Sequence, residues 1–363
     1  MKTIKEAIKV KSINGDYFAT FHTSQNSLLS AISSKNESFY LVDDSLFAIY
    51  PEIFSNIPIA YIYSLQANEI NKSLQKVSEI AEWLIKSGAT KSSHLYAIGG
   101  GVIQDLATFT SHIYYRGINW TFIPTTLLSQ ADSCIGAKCA LNLNGHKNQL
   151  GVVHTPQAVE IFTGFLKSLP YSEIQSGFGE IAKLSITGPG EFLDEFTEKL
   201  RRDGISSQDL DSIIKLSLLS KKYIVDSDEY ENDLRRVLNY GHSFGHALES
   251  LTQSQLVHGD AVVIGMELIN FLGVKWGITD PHFALTFQNL LNEYFSHVKV
   301  SQTVDALSWV EELKHDKKMK DGKMNFAIPR GVGDIGIYTR DLDADLVFQV
   351  GEYIAGSPRF NIA

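Results

Sequence analysis

The 363-residue sequence lacks several features that mark whole classes of protein. It has no run of 18 or more apolar residues, and residues 1–18 lack the apolar core of a signal peptide, so we expect a cytoplasmic protein without a membrane span. Its two cysteines, Cys134 and Cys139, fit neither a CxxC redox pair nor a disulfide framework, and we interpret both as packing residues. No internal repeat or low-complexity tract is visible, which argues against a solenoid.

Positive charge is also scarce. The 32 lysines and arginines are outnumbered by 41 aspartates and glutamates, which gives a formal net charge of -9. Binding to nucleic acid or to an anionic membrane requires a broad positive face, so we expect neither partner. An anionic small molecule would have to be held by a local cluster of cations.

The sequence does contain enough apolar residues, 44%, to form two domains at this length. Between residues 39 and 162, short apolar runs alternate with helical stretches, a pattern typical of a mostly parallel, Rossmann-like α/β sheet covered by helices. Apolar residues at helical spacing between Leu74 and Ile85 predict a crossover helix. The predicted strands are residues 39–42, 59–63, 95–98, 120–123 and 159–162.

The pattern changes near Pro170. Residues 210–224, 261–272 and 283–295 have helical periodicity, and few β-branched runs remain. We therefore predict an α/β domain over residues 1–170 and an all-α domain over residues 171–363.

Three consecutive glycines, Gly99, Gly100 and Gly101, lie between a predicted strand and a predicted helix that begins near Val102. Their backbone N–H groups could approach a pyrophosphate at the helix N-terminus, although a ligand-free tight turn explains the pattern about equally well. The motif is not GxGxxG, and the acidic candidate for a ribose, Asp43, precedes the glycines instead of following them. A dinucleotide would therefore bind in an unusual chain order.

Polar and cationic residues then gather at predicted strand ends and loops, where α/β proteins bind ligands. Their neighbours are Gly, Thr, Asn and Ser, which weakens the alternative that they form a solvated surface. They are Arg116, Thr125, Thr126, Asp132, Lys138, Lys147 and Asn148.

In the second predicted domain, His242 and His246 are four residues apart and would project from one helix face. Such a pair alone is more often structural than a metal site. With Glu180 and His258, however, one carboxylate and two imidazoles would leave open positions on a metal ion. The zincin motif HExxH is absent, so peptide hydrolysis is not indicated.

Taken together, these motifs resemble the 3-dehydroquinate synthase family and the wider sugar phosphate cyclases, from about Asp43 to Gly333. The stretches that carry the resemblance are residues 99–102 with Asp105, 115–117, 124–128, 132–133, 147–148, 179–183, 238–242, 258–262 and 315–318.

The resemblance implies an NAD-binding first domain, a metal- and substrate-binding second domain and a homodimer. It implies that Glu180, His242 and His258 bind a divalent metal, usually zinc, with cobalt as an alternative, and that His246 contacts substrate instead. The implied NAD contacts are Asp43, Glu69, Lys72, Gly99, Gly100, Gly101, Val102, Asp105, Thr125, Thr126 and Asp132. The implied substrate contacts are Lys138, Lys147, Asn148, Lys183, Lys221, Arg235, Asn239, His246, Lys317 and, reaching the phosphate of the partner subunit, Arg116.

The implied reaction is phosphate elimination and ring closure of a sugar phosphate, with NAD regenerated in each turnover. Retention of Lys221, Arg235, Asn239 and His246 favours a carboxylated substrate, 3-deoxy-arabino-heptulosonate 7-phosphate, and hence a role in the shikimate pathway. Departures from the family pattern at Gln104, Thr108, Ala137 and Cys139 leave three relatives open, namely 2-deoxy-scyllo-inosose, valiolone-type and amino-dehydroquinate synthases. A metal-dependent oxidoreductase of the glycerol dehydrogenase type is the rival from another reaction class, and a catalytically inactive relative is the third alternative.

Overall fold

The computed structural model describes residues 7–32, 37–144, 146–200, 207–253, 255–315, 319–320 and 323–360. The chain divides into two compact units, Met1–Pro170 and Tyr171–Ala363. In the described parts of the chain, no helix is both long and apolar enough to cross a membrane.

The first unit is built on a seven-stranded sheet with the order β1-β2-β9-β6-β5-β3-β4. Every neighbouring pair is parallel except β1 and β2, and β7 and β8 form a separate antiparallel hairpin. The strands are β1 (Ala7–Val10), β2 (Tyr17–Phe21), β3 (Ser38–Asp43), β4 (Ile62–Leu65), β5 (His94–Gly99), β6 (Asn119–Pro124), β7 (Lys138–Leu143), β8 (His146–Val153) and β9 (Ala158–Ile161).

The α/β prediction is confirmed, because the described helices of this unit connect parallel strands. The helices are α1 (Gln25–Ile32), α2 (Ser45–Ile49), α3 (Pro51–Phe54), α4 (Leu74–Lys86) and α5 (Gly101–Ile113). Helix α4 is the predicted crossover helix. It begins where the Ser73 hydroxyl accepts from the Lys76 amide at 3.3 Å, and it buries Val77, Ile80 and Leu84.

One predicted strand is partly wrong. Residues 59–61 form a 3₁₀ turn, and β4 begins only at Ile62. Pro58 fixes the backbone ahead of this turn and has no N–H to donate to a neighbouring strand. Four further strands, β1, β2, β7 and β8, were not predicted.

The second unit is mainly helical, as predicted. Its helices are α6 (Tyr171–Thr187), α7 (Glu191–Leu200), α8 (Ser207–Val225), α9 (His242–Leu251), α10 (His258–Lys275), α11 (Pro281–Tyr294), α12 (Ala306–Glu312) and α13 (Ala344–Gly356). The prediction of a purely α domain is too strict, however. An antiparallel sheet of β10 (Met319–Lys320), β11 (Lys323–Gly331) and β12 (Asp334–Asp341) is also present.

Candidate active site

Three helices of the second unit bring one carboxylate and two imidazoles together. Glu180 lies on α6, and His242 and His258 are the first residues of α9 and α10. The Nε2 atoms of His242 and His258 lie 3.1 and 2.8 Å from Glu180 Oε1. Ligand atoms bound tetrahedrally at 2.0 to 2.1 Å from zinc are about 3.3 Å apart. The three side chains therefore fit a shared divalent ion with only a small outward movement.

Glycines explain why α6 and α10 approach so closely. A Cβ atom on Gly259 would lie 1.9 Å from the carbonyl oxygen of Ser176, and one on Gly179 would lie 2.4 Å from the carbonyl oxygen of Gly259. No side chain fits in either place, so the two backbones touch. Because Gly179 precedes Glu180 and Gly259 follows His258, this contact fixes the distance between carboxylate and imidazole.

The contact between α9 and α10 is made in the same way. A Cβ atom on Gly265 would lie 1.9 Å from the carbonyl oxygen of Gly241. Gly241 itself has a φ of 77°, a left-handed conformation that glycine adopts readily, and it directly precedes His242. Backbone contacts at glycines thus position all three side chains.

Hydrogen bonds at the far ring nitrogens orient both imidazoles. His242 Nδ1 lies 3.1 Å from the carbonyl oxygen of Tyr240, and His258 Nδ1 lies 3.0 Å from Glu249 Oε2. A carbonyl oxygen and a carboxylate can only accept, so both Nδ1 atoms carry a proton. In the neutral rings the Nε2 lone pairs then face Glu180, which is the tautomer that a metal requires.

The charges of this cluster are strongly coupled. Burial alone would raise the pKa of Glu180, but the ammonium of Lys183, 2.6 Å from Oε2, and the nearby His242 hold it well below its usual range. Burial lowers the pKa of His242. It also acts to lower that of His258, but the carboxylates of Glu180 and Glu249 outweigh it and raise the pKa to about 10. The position between the carboxylates therefore favours a cation, and a metal would have to displace the proton on Nε2.

A third imidazole, that of His246, lies beside the first two. Its ring centroid is 5.2 Å from that of His242 and 5.5 Å from that of His258. One nitrogen from each of the three rings can be chosen so that all lie within 4.8 Å of one another. His246 is the most exposed of the three, so it is placed where it could contact either an ion or a molecule bound to it.

Three predicted substrate cations of this unit are buried. Lys183 lies on α6, Lys221 on α8, which packs against α6, and Arg235 in the 3₁₀ helix Leu234–Asn239. The Asp228 carboxylate accepts from the backbone N–H groups of residues 232, 233 and 235 at 2.8 to 2.9 Å and so holds the turn before Arg235.

Asn239, at the end of the same 3₁₀ helix, is held by its amide nitrogen. This atom donates to Glu231 Oε1 at 2.6 Å and to the carbonyl oxygen of Arg236 at 3.2 Å. The amide oxygen is thereby oriented as an acceptor. Lys317, the remaining predicted contact, lies outside the described residues.

In the first unit, the candidate cofactor residues follow the carboxyl ends of adjacent parallel strands. The ladders align Val42 with Ile98 and Gly99 with Pro124, so Asp43, the glycine turn and Thr125 lie along one edge of the sheet. The Thr125 amide donates to the Gly99 carbonyl at 3.0 Å. Ligands of open α/β sheets bind at this edge.

The glycine turn combines close packing with open space. A Cβ atom on Gly100 would lie 2.9 Å from Thr126 Cγ2, whereas one on Gly101 would meet nothing within 4 Å. Gly101 and half-buried Val102 begin α5, whose first N–H groups have no helical partner. The turn therefore fits a phosphate group at a helix N-terminus.

A polar network joins several other predicted residues of this unit. Lys72 Nζ lies 2.7 Å from Asp105 Oδ2 and donates to Asn148 Oδ1 at 2.8 Å. Asn142 donates to Glu69 Oε1 at 2.8 Å and accepts from the Asn148 amide at 2.9 Å. Burial raises the pKa of Asp105, although Lys72 opposes the shift. The network thus links two predicted NAD contacts to the predicted substrate contact Asn148, Lys72 directly and Glu69 through Asn142, which was not predicted.

The remaining predicted residues are spread over neighbouring elements. Asp132 lies in a π-helical turn, Ser129–Ser133, and Lys138 and Lys147 lie on the two strands of the β7–β8 hairpin. Gln104, one of the departures from the family pattern, donates to the Ser133 carbonyl at 2.7 Å and accepts from the Ser133 hydroxyl at 2.5 Å.

Arg116 is not brought to the other predicted residues of its unit. It lies between α5 and β6, at the amino ends of the parallel strands and so at the opposite edge of the sheet from the glycine turn. Tyr115, Arg116 and Gly117 all have positive φ angles, of 48°, 59° and 109°. Lys91 donates to the carbonyl oxygens of Tyr115 and Gly117. This strained, braced turn exposes Arg116 to solvent.

Residues that the sequence analysis missed include Glu249, the Tyr240 carbonyl and Asn142. Glu249 could have been found, because it follows His242 and His246 at helical spacing. The Tyr240 carbonyl leaves no trace in residue type, since every residue has a carbonyl group.

Most of the chain matches the models of one protein family. Residues 62–176 match the family model described as 3-dehydroquinate synthase N-terminal, and residues 177–319 match the one described as 3-dehydroquinate synthase C-terminal. The 3-dehydroquinate synthase of Dictyoglomus turgidum (strain DSM 6724 / Z-1310) is 39% identical over 316 residues, which are 86% of this chain and 88% of the relative.

Solved structures share the fold. A 2-deoxy-scyllo-inosose synthase complexed with carbaglucose-6-phosphate, NAD+ and Co2+ is similar with a TM-score of 0.85 and 22% identity, over 96% of this chain and 99% of that one. A 2-epi-5-epi-valiolone synthase from Streptomyces hygroscopicus subsp. jinggangensis 5008, with NAD+ and Zn2+ bound, has a TM-score of 0.79 and 22% identity, over 94% and 96%.

Proposed function

The chain belongs to the 3-dehydroquinate synthase family, and we propose that it converts 3-deoxy-arabino-heptulosonate 7-phosphate to 3-dehydroquinate and phosphate. In reaction class this makes it a phosphate-eliminating lyase. The observation that carries the proposal is the convergence of Glu180, His242 and His258 on one point, with His246 beside them. Such a donor set suits a divalent metal that keeps open positions for substrate.

Two groups complete the site. When bound, NAD supplies a reversible hydride acceptor and the divalent ion supplies a Lewis acid that stabilises negative charge on a substrate oxygen. Glu180, His242 and His258 would hold the ion, which we propose is Zn2+ or Co2+. The proposed NAD contacts are Asp43, Glu69, Lys72, Gly99, Gly100, Gly101, Val102, Asp105, Thr125, Thr126 and Asp132. The solved relatives that bind NAD+ with Co2+ or Zn2+ support both assignments.

The protein's own cations and hydrogen-bonding groups would bind and orient the substrate. We assign Lys221 and Arg235 to the carboxylate, because a guanidinium and an ammonium fixed by burial can replace its water shell. The phosphate and hydroxyl groups are assigned to Lys138, Lys147, Asn148, Lys183, Asn239, His246 and Lys317. A phosphate held by fixed cations is a better leaving group, since the negative charge that develops on it is already compensated.

The departures from the family pattern are compatible with the family's own substrate. Both polar atoms of the Gln104 side chain are bonded to Ser133, and the Thr108 hydroxyl donates to the Gln104 carbonyl at 2.7 Å. Ala137 and Cys139 are buried. These side chains are engaged in internal packing and hydrogen bonding, so they do not require a different sugar.

The test is to offer the heptulosonate phosphate, glucose 6-phosphate and sedoheptulose 7-phosphate separately, in the presence of NAD+ and Zn2+. We expect inorganic phosphate from the heptulosonate phosphate alone, a product with the mass of 3-dehydroquinate, and no net gain in NADH absorbance. Phosphate release from another sugar would identify a different cyclase. Formation of NADH in stoichiometric amounts would indicate a dehydrogenase. If the protein showed no turnover and also bound neither NAD nor metal, it would be an inactive relative.

We also propose a homodimer, in which Arg116 reaches the phosphate bound by the partner subunit. Its exposed, braced turn supports this role, because a fixed backbone reduces the entropy that is lost when the side chain binds. A cytoplasmic location and a place in aromatic amino acid biosynthesis remain predictions.

A further inference from the structure

We propose that Glu249 is a positioning residue that makes His258 the stronger of the two imidazole ligands. The inference rests on the proposed metal site, and it concerns a residue that does not itself reach the ion. Glu249 Oε2 lies 3.0 Å from His258 Nδ1, while His258 Nε2 lies 2.8 Å from Glu180 Oε1.

Helix geometry brings Glu249 to this place. His242, His246 and Glu249 are spaced i, i+4 and i+7 on α9, so they share one face of the helix. That face is turned toward the first residue of α10, His258. The Glu249 side chain is only 11% exposed, so its charge is weakly screened by water. A carboxylate that is so little exposed is tolerated in a folded protein when cationic or hydrogen-bonding partners compensate for its lost hydration.

The two imidazole ligands differ in their outer partner. His242 donates from Nδ1 to a neutral carbonyl, whereas His258 donates to a carboxylate. A carboxylate attracts the Nδ1 proton more strongly, which increases the electron density on Nε2 and so its strength as a metal ligand. It also holds the ring in the orientation that aims Nε2 at Glu180.

The charges support the same conclusion. Glu180 and Glu249 place two negative charges on opposite sides of the His258 ring, and the ammonium of Lys183 lies 2.6 Å from Glu180 Oε2. Because Lys183 already compensates part of the charge of Glu180, Glu249 supplies the further negative charge that offsets a divalent ion at Nε2. Without Glu249 the buried ion would keep an excess positive charge. Glu249 therefore stabilises the bound ion through one imidazole and does not itself occupy a coordination position.

The experiment compares the full-length protein with Glu249→Gln and Glu249→Ala. Metal is removed with a chelator, and Zn2+ is titrated back against a chromophoric competitor, while Co2+ binding is followed by its visible spectrum. We expect the Zn2+ Kd to rise about 10-fold in Glu249→Gln, which keeps an acceptor without the charge, and up to about 100-fold in Glu249→Ala. The Co2+ spectrum should change in both variants.

Glu160→Gln is the matched control. Glu160 Oε2 lies 2.6 Å from His22 Nε2, but that imidazole faces Ser27 at 2.9 Å, so the pair is a carboxylate–histidine contact without a candidate ligand set. This variant should leave the Zn2+ Kd unchanged. If Glu249→Ala does not fold without metal, Glu249→Gln alone decides.

An unchanged Kd and Co2+ spectrum in Glu249→Gln would overturn the inference, because His258 would then need only a hydrogen bond and not a charge. If the unsubstituted protein itself bound neither Zn2+ nor Co2+, the proposed metal site would fail instead. The two failures are therefore distinguishable.

Discussion

At the scale of single residues, His258 lies between two carboxylates and outside the hydrophobic core. Its replacement should therefore affect metal binding and leave the fold intact. The hydrophobic core of the second unit includes fully buried Trp309, Phe244 and Phe287, and His258 is not part of it. We expect His258→Ala to weaken Zn2+ binding by at least about 100-fold and to abolish phosphate release, while near-UV circular dichroism is unchanged. Unfolding of this variant at room temperature would show instead that the metal is structural.

A second residue-scale prediction concerns acid stability. Burial acts to raise the pKa of Asp228, but the hydrogen bonds that its carboxylate accepts from backbone N–H groups outweigh this effect and lower the pKa below its ordinary value of 3.8. Its stabilising effect is therefore complete above about pH 4 and is lost as pH falls through the lowered pKa. In Asp228→Asn, unfolding free energy from urea titrations should fall by about 1 kcal/mol at pH 7 and depend less on pH below 4. Equal pH dependence in both proteins would contradict this role.

From residue type alone, the side chains that bind or react are easier to predict than the groups that hold them in place. The grouping of Glu180, His242, His246 and His258 could be predicted because a carboxylate and imidazoles in a glycine-rich setting are the donors that a metal needs. Only the family resemblance selected Glu180, His242 and His258 among them, and that choice stays a prediction. The partner of His242 is a backbone carbonyl, which residue type cannot reveal, whereas Glu249 could have been found from its helical spacing with His242 and His246. The assignment of His246 to substrate stays a prediction.

At the scale of elements, the glycine contact between α6 and α10 should be intolerant of a methyl group. We expect Gly259→Ala to lower the unfolding free energy by about 1 to 3 kcal/mol and to weaken Zn2+ binding, because the helices must separate. Urea unfolding and metal titration would measure the two effects.

Gly356→Ala is the control for this substitution. Gly356 ends α13, and a Cβ atom there would meet nothing within 4 Å. Alanine should therefore leave metal binding unchanged and stability equal or slightly higher. If Gly259→Ala behaved in the same way, the backbone contact would not set the positions of the metal residues.

Elements were predictable where burial leaves a simple pattern. Strands β3, β5 and β6 are buried along almost their whole length and are mostly apolar, because parallel strands are covered on both faces. Strands β1 and β2 have only four and five residues and alternate in exposure, so they offer too few positions to reveal a period. In β11, Pro329 is accommodated because it lies at an irregularity of the pairing with β12.

At the scale of the whole molecule, the proposed dimer predicts that two inactive variants restore each other. Arg116→Ala would lack the arginine that reaches the partner, and His258→Ala would lack its own metal site. In a mixed dimer, one of the two sites would receive a normal Arg116 and a normal metal site. Random mixing should therefore restore about a quarter of normal activity, because half of the dimers are mixed and each has one complete site.

Co-expression with two affinity tags, isolation of mixed dimers and a phosphate-release assay would measure this effect, and the isolated mixed dimers should have about half of normal activity because one of their two sites is complete. Mixtures of either variant with itself serve as controls. Absence of activity in purified mixed dimers would show that Arg116 acts within its own subunit, and a monomer in light scattering would exclude the dimer altogether.

The whole-molecule prediction of an α/β unit followed by a helical one succeeded because it depended on long-range trends in periodicity. The β10–β12 sheet falls within the helical part and covers too few residues to change that trend.

Close contact at Gly179, Gly241, Gly259 and Gly265 also has a consequence for enzyme engineering. Mutational libraries aimed at a new sugar should leave these four codons untouched and vary α8 and the 3₁₀ helix Leu234–Asn239, which carry the proposed substrate contacts Lys221, Arg235 and Asn239 and none of the proposed metal ligands. Such libraries would retain a working catalytic centre in most members, so that screening would report on selectivity and not on collapse of the scaffold.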